Sequence, residues 1–242
     1  MVKRMNIIDL FSENQQILDW KKNLNKKTRQ LLMGFSGSTK ALAIATAFEE
    51  QEKILIMVSS YSEAEKLSSD LISLLGEKKV YNFLADDTPM AEFIFSSQEK
   101  IYARLGALNF LLDDNASGVL VINLSASRLF LPNPNELKSS SLELKVGQEY
   151  NFDSLVNFLV KIGYRKESQV FNQGEFSLRG DILDIFDKDS LLPYRLEFFG
   201  DEIDGIRVFD PESQTSTENI NQVLIHPASD ILLADEDFLR AQ

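Results

Sequence analysis

The sequence predicts an α/β protein in which a parallel sheet with packed helices is followed by a small, strand-rich α+β domain. Three observations lead there. Apolar runs of strand length alternate with capped helical segments as far as about Leu131. The stretch PNPNELKSSS, Pro132 to Ser141, is rich in turn formers and reads as a linker. Beyond Gly174 the pattern becomes the two-residue alternation of strands.

Taken in order, LLM (Leu31 to Met33) is expected to be a short buried strand entering a glycine-containing loop, with TKALAIATAFEE as the helix after it. KILIMVSS, from Lys53 to Ser60, is a continuous apolar run, as expected of a strand covered on both faces. Ser62 and Glu65 have capping-box spacing and open a helix through Leu67, Leu71 and Leu74, which Gly76 can end. KVYNFLA is a second strand. Ser96 and Glu99 form another capping box before a helix with Ile101, Leu105, Leu108 and Leu112 on one face, and GVLVINL is the third strand. Past the linker, LELKV is a short strand and Asp153 to Gly163 a capped amphipathic helix. EFSLRGDILDIF and YRLEFFGDEIDGIRVF supply the remaining strands. In YRLEFF, period two places Tyr194, Leu196 and Phe198 on one face and Arg195, Glu197 and Phe199 on the other. A face mixing charge with an aromatic suits a surface that meets a partner.

The 242 residues suffice for one large or two modest domains, with expected boundaries at 1–128, 129–225 and a return segment at 226–242. No apolar run approaches the roughly 18 residues of a membrane span, so no membrane partner is expected. With no cysteine, disulfides, thiolate zinc sites and cysteine nucleophiles are excluded, and a cytoplasmic address is the default. Net charge is −12, and Asp181 to Gln242 alone holds 15 acids against 4 bases. Nucleic-acid binding requires clustered Lys and Arg to neutralise phosphates. Only Lys21, Lys22, Lys26, Lys27 and Arg29 form such a cluster, and a solvated helix face explains them better than a DNA contact.

GFSGSTKA, Gly34 to Ala41, nearly spells a phosphate loop: glycine, any four residues, glycine, lysine, then serine or threonine. Gly34, Gly37 and Lys40 suit that role. Thr39 replaces the second glycine and puts a branched side chain where the backbone must approach the phosphates. Ala41 replaces the hydroxyl that would ligate Mg²⁺. The first domain is thus expected to be a degenerate form of the P-loop NTPase fold, with no catalytic residues and no bound cofactor, although Lys40 could still attract an anion. GDEIDG, Gly200 to Gly205, lacks the spacing of a calcium loop and reads as a solvated turn. His226, the single histidine, reads as a loop residue beside a proline, so no histidine-based metal cluster is expected. Trp20 is expected to pack the N-terminal helix onto the sheet.

GEFSLRGDILDIF and YRLEFFGDEIDGIRVFD resemble the signature of the second domain of UvrB, a nucleotide-excision-repair protein, which the N-terminal module of the bacterial transcription-repair coupling factors shares. GYRKESQV and RLGALNFLLDDNASGVLVINLSA extend the likeness more weakly, and GFSGSTKA stands where UvrB has its nucleotide loop. Two departures favour the coupling factors over UvrB. The loop is degenerate, and DDTPMAEFIFS, Asp86 to Ser96, is too short for UvrB's tyrosine-rich DNA hairpin and contains no tyrosine. The resemblance implies a small domain inserted in an NTPase-like one. It also implies a non-catalytic module that recruits UvrA to stalled RNA polymerase, with polymerase, DNA, ATP and Mg²⁺ engaged only by a longer parent translocase. It carries UvrA binding onto Arg165, Arg179, Phe186 and Arg195, with Ser177 where UvrB commonly has another arginine. From the residues alone, those arginines read as internal ion pairs of an acidic domain, and the resemblance reverses that reading. The resemblance also implies that this surface can be masked by another domain of the parent. An ATP-dependent damage-verification protein, and a structural or autoinhibitory clamp with no direct UvrA contact, are the competing readings.

Overall fold

The computed structural model describes residues 7–24, 29–48, 53–87 and 97–230. The chain divides into two compact units, Met1–Leu129 and Phe130–Gln242.

In the first unit, helices α1 (Ile7–Ser12), α2 (Gln15–Leu24), α3 (Thr39–Ala47), α4 (Tyr61–Leu75) and α5 (Gln98–Leu112) accompany strands β1 (Lys53–Val58), β2 (Val80–Phe83) and β3 (Gly118–Asn123). The sheet is parallel with order β1-β3-β2, and Leu120 of β3 stands between Leu55 and Tyr81. The central position explains the unbroken apolar run of β3, where Val119, Leu120 and Val121 are buried. The equally apolar β1 is covered on one face only: Ile54, Ile56 and Val58 pack on the core with Ala41, Ala64 and Leu67, while Leu55 and Met57 on the other face are exposed. The expectation of two covered faces is corrected accordingly. Ala41 of α3 and Ala64 of α4 are fully buried, letting the two helices approach closely above Leu67, Leu71 and Val121. Trp20 lines a cleft with Ile44, Ile56 and Leu67, so α2 does face the sheet side of this unit.

Three local expectations are revised. Leu31 to Met33 form no strand; all three are exposed loop residues, since a short apolar run becomes a strand only where a neighbour pairs with it. The α4 N-cap is Ser60, whose hydroxyl accepts the Glu63 N–H at 3.2 Å, two residues before the expected box. The carboxylate of Glu63 returns to the Ser59 hydroxyl at 3.0 Å, which favours this register. Helix α5 is capped by Ser97 through the Lys100 N–H; Ser96 lies outside the described residues.

The second unit contains α6 (Pro134–Ser139), β4 (Leu142–Lys145), α7 (Phe152–Lys161), β5 (Arg165–Lys166), β6 (Glu175–Arg179), β7 (Ile182–Ile185), β8 (Tyr194–Phe199), β9 (Glu202–Phe209), β10 (Ser216–Ile220) and β11 (Gln222–Ile225). Helix α6 falls inside the expected linker. The Asn133 side chain caps the Asn135 N–H at 2.9 Å and Pro134 occupies the first turn, where its missing N–H costs nothing. Strands β4 and β11 pair antiparallel. The other strands form a six-stranded sheet of order β10-β9-β8-β7-β6-β5, antiparallel except for the β5–β6 pair. Gly180 and Gly200 turn two of its hairpins at φ +61° and +64°, a region that favours glycine. Register aligns Leu183, Leu196 and Ile206 on the buried apolar face. Leu155 and Leu159 make one side of α7 apolar, and Phe152 meets Phe198 of that face edge-on at 5.1 Å. On the opposite face Ser177, Asp184, Arg195 and Arg207 stand in one row across β6 to β9.

Residues 226–230 are held within this unit: the Ala228 N–H donates to the Ile162 carbonyl at 2.8 Å, and the Tyr164 hydroxyl lies 2.9 Å from the His226 carbonyl. The remainder of the proposed return segment, 231–242, lies outside the described residues. Gly163 permits the close passage. Its φ is +96°, and a Cβ there would stand 2.4 Å from the Ser229 Cβ and 2.8 Å from its backbone N. Gly163→Ala should therefore destabilise the chain by roughly 3 kcal/mol in urea unfolding, from strained backbone and overpacking together.

Candidate functional site

GFSGSTKA, read from the sequence as a degenerate phosphate loop, spends several of its donors within the chain. Gly34 and Gly37 turn the chain at φ +89° and +54°. The Ser36 N–H donates to Thr39 Oγ1 at 2.9 Å, and that hydroxyl returns to the Ser36 carbonyl at 2.5 Å. The residue in place of the second glycine thus consumes an amide that a phosphate would need. Lys40 Nζ pairs with Glu63 Oε1 at 2.9 Å. The Lys40 bond, with help from the Ser59 hydroxyl, holds the Glu63 carboxyl below its usual range. Ala41, in the metal-hydroxyl position, is buried in the core. At the carboxyl edge of the same sheet, Asp87 accepts the Tyr61 N–H at the start of α4 at 3.1 Å, with Asn123 Nδ2 and the Ser125 hydroxyl each at 3.3 Å. The chain's own carboxylates stand where such folds collect anions. Of the N-terminal basic cluster, Lys22 lies 3.9 Å from Asp19 on the exposed surface of α2, while Lys26 and Lys27 lie outside the described residues.

The charged face of the six-stranded sheet is different in kind. Asp184 on β7 is 0% exposed and accepts from two arginines. Arg195 on β8 grips it bidentately, Nε to Oδ1 at 2.7 Å and Nη2 to Oδ2 at 2.9 Å. Arg179, at the end of β6, places Nη2 on the same Oδ2 at 2.5 Å. Two more contacts at 3.3 Å, to the carbonyl and Oε1 of Gln214, secure Arg195, whose guanidinium lies over the Phe209 ring at 4.3 Å. The Asp184 hydrogen bond, opposed by burial, raises the Arg195 pKa further.

The four residues singled out from the sequence separate into two kinds. The Arg195 side chain is 14% exposed and saturated by internal partners, whereas that of Arg179 is 42% exposed and makes one hydrogen bond among the described residues. Arg165 is more than half exposed and only 3.7 Å from Glu175 Oε1. Glu175 also gathers the N–H groups of Phe171 and Asn172 at 3.0 and 2.8 Å; burial pushes its pKa up, but these bonds outweigh it and keep the carboxyl low. Phe186 is corrected as an apolar surface contact: it is 7% exposed and packs with Val170 and Phe209. The exposed aromatic on the charged face is Phe199, at 83%. The Ser177 hydroxyl, opposite Asp184 in register, is buried without a hydrogen-bond partner among the described residues. Asp184, Gln214 and the Arg207–Glu197 pair at 3.1 Å were not singled out from the sequence, although alternation in ILDI marks Asp184 as a sheet-face residue.

His226 is likewise more than a loop residue. Its N–H donates to Asp187 Oδ1 at 2.7 Å, and its Nδ1 lies 3.1 Å from Asp187 Oδ2 and 3.5 Å from Asp189 Oδ2. Asp187 also accepts from the Tyr164 hydroxyl and the Asp189 N–H, while Lys188 Nζ bonds Asp189 at 2.5 Å. These three side chains have metal-ligand proximity, yet every carboxylate in the group already holds a donor of the chain itself. The cluster works as a lock. The acids of GDEIDG are exposed and belong to no such group among the described residues.

The Asp187 hydrogen bond, against burial, raises the His226 pKa. Burial pushes Asp187 up, but bonds from the His226 ring and backbone outweigh it and lower its pKa. The raised histidine contributes stability that is full below its unfolded pKa of about 6.5 and is lost as pH rises through the higher folded value. The lowered aspartate contributes stability that is lost only as pH falls through its folded value. Between about pH 6 and about pH 9, the melting temperature should fall more for the wild type than for His226→Gln, measured in parallel scans.

Comparison with known proteins places this geometry. A family described as the UvrB interaction domain matches residues 142–230, the span that holds the whole six-stranded sheet and His226. The transcription-repair-coupling factor of Staphylococcus epidermidis is 36% identical over 207 residues, or 85% of this chain. That of Bacillus subtilis is 34% identical over 213 residues, or 88% of the chain, and that of Staphylococcus aureus 33% over 207 residues, or 85%. The chain spans about 18% of the length of each of these relatives. Residues 142–230 thus match the UvrB interaction domain family, and the chain is similar to part of the transcription-repair-coupling factors.

Proposed function

We propose that the chain is a non-catalytic, UvrB-like module that binds UvrA, and that within a longer coupling factor it recruits UvrA to stalled RNA polymerase for repair. The observation that carries this reading is the exposed fork of Arg179 on a buried Asp184, inside the segment that matches the UvrB interaction domain. Arginine suits such an interface because its planar fork can serve two carboxylates at once, one internal and one from the partner. Arg165 flanks it on the same face, and Phe199 adds an exposed aromatic of the kind enriched in binding hot spots. Arg195 and Phe186 act beneath them as scaffold.

The competing enzymatic reading needs a nucleotide site, and the donors of Ser36, Lys40 and Tyr61 are engaged by Thr39, Glu63 and Asp87. In this proposal residues 1–128 are the degenerate NTPase-like part, 129–225 the UvrA-binding part and 226–242 a return segment whose first residues, 226–230, are anchored in the second unit. ATP, Mg²⁺ and DNA then belong to a translocase elsewhere in the parent protein.

Retention of purified UvrA on the immobilised chain tests the proposal. Arg179→Ala should weaken retention about tenfold and lower the melting temperature much less than Arg195→Ala, because Arg195 still holds the Asp184 carboxylate. Arg195→Ala should lower both binding and stability, because it strands a buried carboxylate at a cost of roughly 3–5 kcal/mol. Wild-type retention by a folded Arg179→Ala chain would count against the arginine surface. No retention by the wild type would favour a purely structural clamp.

A further inference from the structure

We infer that Asp184 is a positioning residue for partner binding: it holds Arg179 in the one orientation from which the guanidinium can bridge to a carboxylate of UvrA. The inference rests on the reading of this sheet face as the UvrA-docking surface and adds a residue that acts through Arg179.

The geometry carries the argument. Asp184 is wholly buried at the middle of β7, and its Oδ2 is shared by Arg179 and Arg195. Two guanidinium groups on one carboxylate leave the group with an excess positive charge, in a region whose net charge is otherwise strongly negative. An acidic side chain from a partner completes the set; a neutral or basic one does not. Arg179 spends one Nη2 hydrogen on Asp184 among the described residues, so Nε, Nη1 and the second Nη2 hydrogen remain for that acid.

Arg195 cannot take this role, since Asp184, Gln214 and the Phe209 ring already hold it. It instead fixes the carboxylate that orients Arg179. Gln214 braces the far side: it is the one described non-glycine residue with positive φ, at +59°, and this turn directs both its carbonyl and its side chain to Arg195. A free arginine would lose its rotamer freedom on binding, whereas one already held by Asp184 has little left to lose.

Binding of purified UvrA to the 242-residue chain, with melting temperatures taken alongside, tests the assignment. Asp184→Asn keeps the side-chain shape and removes the charge; it should weaken binding about tenfold. Arg179→Lys keeps the charge and, at an exposed position, the fold, but an ammonium cannot bridge two carboxylates in a fixed plane. It should lose a similar factor with no change in melting temperature. Because both changes act through one bridge, the double variant should bind no more weakly than either single one. Multiplying losses in the double variant, or wild-type affinity in either folded single variant, overturns the positioning role. If Asp184→Asn does not fold, Asp184→Glu, which keeps the charge but moves the carboxylate relative to Arg179, takes its place with the same expected loss. Failure of the wild type to bind UvrA overturns the docking reading itself, and this inference with it.

Discussion

The buried carboxylate of Asp184 is the constraint around which the second unit is arranged. A charge removed from water is tolerated only if it is paired and hydrogen-bonded, and three N–H groups from two arginines meet that need. They reach it only if β6, β7 and β8 hold their register, because a slip by one residue would turn every side chain to the other face. Leu183, Leu196 and Ile206 enforce that register from the apolar face, so one alignment satisfies both sides of the sheet. The outer arginine is thereby displayed while the inner one is consumed.

The first unit applies the same chemistry to the opposite end. There the chain supplies its own anions, with Glu63 on Lys40 and Asp87 at the start of α4, so positive ends that would draw phosphate are neutralised internally. In the second unit the balance runs the other way, and a cation is left over on an acidic background. The contrast leaves the loop of the first unit paired internally and the sheet of the second with a partly exposed arginine.

Much of this was legible in the sequence. The alternation in YRLEFF placed Arg195, Glu197 and Phe199 on one face, and GVLVINL marked a buried strand. KILIMVSS carries the same signal as GVLVINL, yet β1 lies at one side of the described sheet and stays open on one face. Lateral order in a sheet is not written into a single strand. Ser60 and Ser62 both precede a glutamate by three residues, and only the contacts of Ser59 and Glu63 choose between them. Phe186 closes an apolar run and could face either way; packing by Val170 and Phe209 turns it inward. The pairing of His226 with Asp187, 39 residues apart, leaves no local pattern at all. Nor does a sequence distinguish an arginine that is spent from one that is displayed, since that depends on whether Gln214 reaches Arg195.

Hydrogen–deuterium exchange of the chain, alone and with UvrA or with ATP and Mg²⁺, tests the central claim most directly. The account predicts that UvrA slows exchange across β6 to β8, around Arg179 and Asp184, and that nucleotide changes nothing from Gly34 to Ala41. Nucleotide-dependent protection of Gly34 to Ala41, with β6 to β8 unaffected by UvrA, would contradict it.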